Sequence, residues 1–182
     1  LENMIDTIIH RGPDSSGKFV DEDAALGFRR LSIIDLSESG DQPLYNEDRS
    51  KVLVFNGEIY NYQELREELI QAGHTFVSNT DSETLIHGYE QWGEELVYRL
   101  RGMYAFAIWD QKAKRLFSAR DIFGIKPLYY AQMNGTLMFG SEIKSFLEHP
   151  KFDKVFNEDA LGNYLSFQFV PTNRSEEHTS EL

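Results

Sequence analysis

The chain contains no cysteine, which excludes a disulfide framework and any thiolate-ligated metal. No apolar run approaches the roughly 18 residues that a membrane-spanning helix needs. Positive charge is scarce: 18 Lys and Arg stand against 30 Asp and Glu, a formal net charge of −12. Such a surface repels phosphate backbones and anionic lipid, which excludes nucleic-acid and membrane partners and leaves a small molecule or a protein. No glycine-rich phosphate loop occurs, so no ATP site and no cofactor are expected within these residues. The histidines His10, His74, His87, His149 and His178 show no metal-ligand spacing, and no metal is expected. His87, on a helix with apolar neighbours, reads as a packed side chain. An initiator Met is also lacking: the chain opens at Leu1, inside a helical pattern of Leu1, Met4, Ile5, Ile8 and Ile9, with no signal peptide in view.

What is present is a core. Hydrophobic residues make up 41% of the 182 and aromatics 13%, enough for one domain. The first helix ends near His10, and Pro13 blocks its continuation. Residues 25–34 are β-rich. Lys51–Phe55 reads as a short buried strand stopped by Asn56-Gly57. An amphipathic helix follows over 60–72, with Asn61 and Glu64 as an N-cap pair and Gly73 at its C-terminal cap. His74–Val77 reads as a strand, Asp81 or Ser82 opens a second helix, and a third covers Glu94–Leu100. Met103–Trp109 is apolar almost throughout and pairs back with Arg115–Ala119. Asn134-Gly135 joins two strands as a tight hairpin, and helices are expected over 142–148 and 157–164. Antiparallel strands with amphipathic helices grouped in sequence give an α+β class, two packed antiparallel sheets with helices outside. Beyond Asn173 the pattern breaks, and residues 174–182 resemble the translation of a sequencing-library adapter rather than protein.

Four motifs carry chemistry. In Phe55-Asn56-Gly57-Glu58, the Asn56 amide and the Gly57 backbone N–H can both point at one oxygen, an oxyanion hole; the plainer reading is a tight turn. Arg30, at a strand end, offers a planar fork suited to a carboxylate; the plainer reading is a surface ion pair. Asp81, at a helix start, either caps that helix or accepts from a substrate ammonium. Arg120-Asp121 reads as a buried structural pair supporting the loop, with Gly124 a bend; the alternative is ligand contact. Together, Arg30, Asn56-Gly57 and Asp81 match the carboxylate, amide oxygen and ammonium of glutamine.

The segments His10–Asp14, Arg30–Asp35, Gln42-Pro43, Phe55–Asn61, Thr80–Glu83, Leu100–Phe106, Arg120–Tyr130, Gly140–Lys144 and Leu165–Pro171 occur in an order that resembles the class II glutamine amidotransferase domain of glutamine-hydrolysing asparagine synthetases, truncated at both ends. The resemblance implies a partial domain over 1–173 and a four-layer αββα sandwich of the N-terminal-nucleophile hydrolase type, lacking its N-terminal strand. It implies that Arg30 grips the α-carboxylate of L-glutamine, with Leu31, Ser32, Ile33 and Ile34 lining the pocket. Asn56 and Gly57 match the oxyanion hole, and Glu58 and Asp81 match the groups that hold the ammonium. The family's nucleophile is a terminal cysteine, which this chain lacks, so the chain alone is expected not to hydrolyse glutamine. A synthetase domain that uses ATP and Mg²⁺ to amidate aspartate would complete the enzyme, in the cytoplasm, with a homodimer left open. The alternatives are an amidotransferase for another acceptor, or a non-catalytic glutamine-binding domain.

Overall fold

The computed structural model describes residues 1–31, 41–155 and 158–168. Two compact units are distinguished, Ile9–Lys126 and, separately, Glu2–Ile8 with Pro127–Leu182. All strand pairing is antiparallel. None of the described helices is long and apolar enough to cross a membrane.

The first unit holds a hairpin of β1 (Ser15–Val20) and β2 (Ala25–Arg30), and a four-stranded sheet in the order β3 (Leu44–Tyr45), β4 (Lys51–Ile59), β5 (Gly102–Asp110), β6 (Arg115–Arg120). Side chains alternate across a pleated strand, so β4 splits into two faces. Leu53, Phe55 and Ile59 meet Tyr104, Phe106 and Ile108 of β5 on one face. There they pack on Leu65 of α2 (Tyr62–Gln71) and on Leu85, Ile86 and Tyr89 of α3 (Asp81–Trp92). Each such fully buried side chain contributes about 1.5–3 kcal/mol. Val52 and Val54 lie on the opposite face with Ala105, Ala107 and Trp109. Burial of six consecutive residues, Tyr104–Trp109, agrees with the apolar run read from sequence. Trp109 also donates its indole N–H to Asp21 in the β1–β2 turn at 2.8 Å, tying the hairpin to the sheet.

The second unit pairs β7 (Tyr129–Met133) with β8 (Thr136–Gly140) through Asn134 and Gly135, at φ 51° and 72°. Both central residues are left-handed, as a type I′ turn requires. Ala131 and Met138 bury against Phe146 and Met4, the latter on α1 (Glu2–Asp6). A last helix, α4, spans Glu158–Phe167.

Several expectations change. Asn56-Gly57 does not stop β4, which runs through it to Ile59 with Asn56 opposite Ala105 and Gly57 opposite Tyr104. The glycine is needed because β5 comes close. A Cβ there would meet the Met103 carbonyl oxygen and lie 2.7 Å from Tyr104 Cα, with the Phe55 ring at 2.9 Å. His74–Val77 is irregular rather than a strand, pairing with no strand among the described residues, and Val77 is 82% exposed. Asn61 makes no cap bond to its helix; its amide instead donates to Arg99 O and accepts from Arg101 N–H, both at 2.9 Å. Where helices are expected over Glu94–Leu100 and 142–148, the structure has 3₁₀ turns over Gly93–Tyr98 and Ile143–Glu148. Strands β1 and β3 were not expected. The two expected sheets are described as one four-stranded sheet and two hairpins. The residues read as an adapter lie outside the described residues.

The edge of β4 away from β5 is completed by side chains. Gln42, preceding Pro43 across a cis bond, accepts from Phe55 N–H at 2.6 Å and donates to Phe55 O at 3.1 Å, replacing a ladder residue with its amide. Gln42→Ala strips both partners from Phe55, so thermal melting should show a loss of about 1–3 kcal/mol, with Phe55 N–H exchange accelerated. Gln42→Glu keeps the acceptor but sets a carboxylate against a carbonyl, and should melt lower at pH 7 than at pH 4.

Candidate functional site

Backbone groups in a strand alternate between its two edges. Along β4, Lys51, Leu53, Phe55, Gly57 and Ile59 turn toward the edge away from β5. Lys51 meets Asn46, Leu53 meets Leu44, Phe55 meets Gln42, and Ile59 N–H donates to Asp81 Oδ2 at 2.8 Å. Gly57 sits between the last two, and among the described residues no side chain fills its place. Strand alternation therefore turns its N–H to that edge between two side-chain caps, each about 7 Å away along the strand.

Beside it, the Asn56 side chain points off the face it shares with Val54. Its Nδ2 is buried and makes no hydrogen bond. Opposite stands Ala105, too small to reach it. A buried amide donor without a partner costs about 1–3 kcal/mol, so the arrangement is one that the fold does not need for its own stability.

Asp81 is 7% exposed at the start of α3. Burial pushes its carboxyl above the usual range; the N–H groups of Ile59 and Ser82 oppose this, and the charge of Glu58 adds to it. Glu58, exposed and two residues from Asn56 on the same strand face, thus lies within electrostatic reach of Asp81. Glu83, 2% exposed, accepts from Val77 N–H, Ser78 N–H and the Ser78 hydroxyl at 2.5–2.7 Å. That network pins the loop leading into α3, and with it Asp81.

Arg30 closes β2 at 9% exposure. Its Nη1 donates to Asp41 Oδ1 at 2.6 Å, and Ser15 Oγ donates to the same oxygen at 3.1 Å. The plainer reading of an ion pair is thus realised, with Arg30 buried and Asp41 half-exposed at the surface. Asp41 is followed by Gln42, which grips Phe55, so a continuous run of contacts joins Arg30 to the residue before Asn56. Arg30, Asn56, Gly57, Glu58 and Asp81 are all tied to one stretch of β4. Leu31 is 54% exposed next to Arg30; Ser32, Ile33 and Ile34 lie outside the described residues.

Arg120 and Asp121 do not pair with each other. Arg120 donates to the carbonyls of Gly124 and Lys126 at 2.6 and 2.7 Å, and Asp121 accepts from the N–H groups of Ile125, Lys126 and Tyr104. Both shape the loop, as expected of structural support. The absence of metal-ligand spacing in the sequence does not carry over to space: Glu47, His74, His87 and Glu90 bring donor atoms within 4.8 Å of one another. His87 is packed, as expected, but among carboxylates.

Comparison with known proteins places this geometry. A family model described as a glutamine amidotransferase domain matches residues 1–180. Asparagine synthetase [glutamine-hydrolyzing] 1 of Bacillus subtilis is 51% identical over 171 residues, 94% of this chain. A Zea mays asparagine synthetase [glutamine-hydrolyzing] is 47% identical over 75% of it. The chain spans about a quarter of these relatives, 27% and 23% of their lengths. Among solved structures, the glutamine phosphoribosylpyrophosphate amidotransferase of B. subtilis superposes with a TM-score of 0.57 at 26% identity, over 67% of this chain and 28% of that one. The fold is accordingly the α+β sandwich of the N-terminal-nucleophile amidotransferases. With its family model running nearly end to end, the chain belongs to the glutamine amidotransferase domain family.

Proposed function

We propose that this chain is the glutamine-binding and amide-polarising part of an asparagine synthetase, releasing ammonia for the ATP-dependent amidation of aspartate. The observation that carries the reading is the buried Asn56 amide without a hydrogen-bond partner, next to the Gly57 N–H that strand alternation turns to the edge of β4 between the Gln42 and Asp81 caps. When the carbon of a glutamine side-chain amide is attacked, negative charge builds on its oxygen. Two fixed donors stabilise that charge without reorganising, each worth about 3–4 kcal/mol of barrier.

The other partners follow from charge. The α-ammonium is drawn to the Asp81 and Glu58 carboxylates, and its arrival lowers the cost of burying Asp81 as an anion. The α-carboxylate goes to Arg30, whose fork shares it with, or exchanges it for, the half-exposed Asp41. This reading places the family's cysteine nucleophile, and the ATP and Mg²⁺ that the amidation needs, outside these 182 residues, which contain no thiol. The chain by itself binds glutamine without turning it over. The need for ATP favours the cytoplasm.

A second reading changes only the acceptor. It is favoured by the 43% identity to amidase chry2 of Gibberella zeae and by the likeness of fold to an amidotransferase named for phosphoribosylpyrophosphate. An assay of the full-length enzyme with glutamine, ATP and Mg²⁺ separates them: asparagine forms only when aspartate is supplied under the first reading.

Three substitutions test the site itself. Asn56→Ala removes an unsatisfied buried amide, so this chain should melt no lower than the unmodified one. In the full-length enzyme the same change should cut kcat about 10²–10³-fold. A large loss of stability would show that the amide serves the fold instead. Asp81→Asn retains an acceptor for Ile59 N–H and removes a buried charge. Because the folded-state pKa is raised, the wild-type carboxylate binds more protons folded than unfolded, and its stability falls as pH rises toward that value. The Asn variant should therefore gain stability relative to wild type with rising pH. Calorimetric titration should show glutamine binding lost in Asp81→Asn and in Arg30→Ala, and undiminished binding in both would reject the reading.

A further inference from the structure

We propose that Glu47, His74, His87 and Glu90 form a structural zinc site that staples three segments of the Ile9–Lys126 unit. His87 and Glu90 lie three residues apart on α3, so they share a face. Glu47 comes from the loop after β3 and His74 from the loop after α2. The site is separate from the glutamine edge and does not depend on that reading.

The spacing fits an ion better than direct pairing. His87 Nδ1 lies 3.4 Å from both Glu47 Oε2 and Glu90 Oε2, the second contact a long hydrogen bond when the proton is on Nδ1. His74 Nδ1 lies 3.6 Å from Glu47 Oε1 and 3.9 Å from Glu90 Oε2. A charged ring bonded directly to a carboxylate would sit at about 2.7–2.9 Å. Zinc bonds of about 2.0–2.1 Å in a tetrahedron instead separate neighbouring donors by about 3.3–3.4 Å. The two contacts of His87 Nδ1 match that spacing, while the four donors as a set spread to within 4.8 Å, so a bound ion would draw them closer together.

The outer contacts turn the correct atoms inward. His74 Nε2 is 3.3 Å from Gln91 Oε1; an amide oxygen only accepts, so the ring proton sits on Nε2 and the Nδ1 lone pair faces the cluster. His87 Nε2 is 3.5 Å from Glu83 Oε1, not aligned as a hydrogen bond, yet beside a buried carboxylate that favours a proton there. A carboxylate or amide behind the metal-ligating imidazole is the usual second layer of such sites. Glu90 Oε1 is held by Asn46 Nδ2 at 2.7 Å, which leaves Oε2 directed inward, and Glu47 Oε1 takes Thr75 N–H at 3.3 Å. Two imidazoles and two carboxylates suit a borderline divalent ion and neutralise its charge. Four protein donors leave no open position, which makes the site structural. The competing occupant is a proton on His87: burial opposes it, but Glu83, Glu90 and Glu47 hold the imidazole up at about 9.

The test uses the untagged chain, stripped with a chelator and then dialysed against micromolar ZnCl₂. The expected result is one zinc per chain by elemental analysis, with a rise in melting temperature that MgCl₂ does not reproduce, since Mg²⁺ demands octahedral oxygen donors. His74→Ala and Glu47→Gln, both on loops, should each lose the zinc-dependent rise while melting near wild type without zinc. Gln91→Ala should weaken binding about 10–100-fold. Binding that fails to saturate at one per chain, or that is unchanged in His74→Ala and Glu47→Gln, means adsorption to an acidic surface and overturns the site. Absence of any zinc-dependent rise in wild type means that the nest holds a proton only, and also overturns it.

Discussion

The edge of β4 is the constraint on which the rest turns. A strand presents a backbone donor and acceptor to its edge at every second residue, and in a buried setting each must be satisfied. Here β3 supplies a true strand partner for two residues only. Beyond it the work passes to side chains, Gln42 at Phe55 and Asp81 at Ile59, with the place between them unfilled among the described residues. The caps do more than complete the sheet. Gln42 brings Asp41 and thereby Arg30 to the strand, and Asp81 brings the start of α3. Satisfying the edge and assembling the site are the same act.

Stability and function pull apart where the site is built. Asp81 is buried as an acid with another acid in reach, and Asn56 buries a donor that nothing accepts. Each is unfavourable for the free domain, and on the proposed reading glutamine supplies the group of opposite character that each lacks. The core on the other face, from Leu53 to Ile108 with α2 and α3, offsets these costs with well-packed apolar side chains. The polar network of Ser78, Thr80, Ser82 and Glu83 is satisfied internally, so the loop entering α3 is fixed without strain on the site.

Legibility in the sequence follows the range of the interaction concerned. The Asn134-Gly135 hairpin, the apolar run of β5 and the helix opening at Asp81 are written locally, by turn chemistry and periodicity, and all were readable. β1 was missed because Ser15-Ser16-Gly17-Lys18 carries little apolar signal, and the strand exists through its pairing with β2. Asn56-Gly57 was misread as a stop because its glycine answers to the backbone of β5, some 46 residues later in the chain. The chemical types at Arg30, Asn56, Glu58 and Asp81 were legible, whereas the Asp41 pairing and the Gln42 cap were not. The four-residue cluster around His87 draws on three separate segments, which no linear spacing reveals.

The crowding around Gly57 bears on how relatives should be read. The Met103 carbonyl and the Phe55 ring leave no room for a side chain there, so the glycine is demanded by sheet geometry whether or not any reaction occurs. A homologue that had abandoned its chemistry would still keep this glycine. Asn56 has no such protection, because nothing in the folded domain holds its amide. If Asn56 polarises the amide as proposed, drift at the asparagine is the informative mark of a lost activity, and persistence of the glycine says only that the sheet still folds.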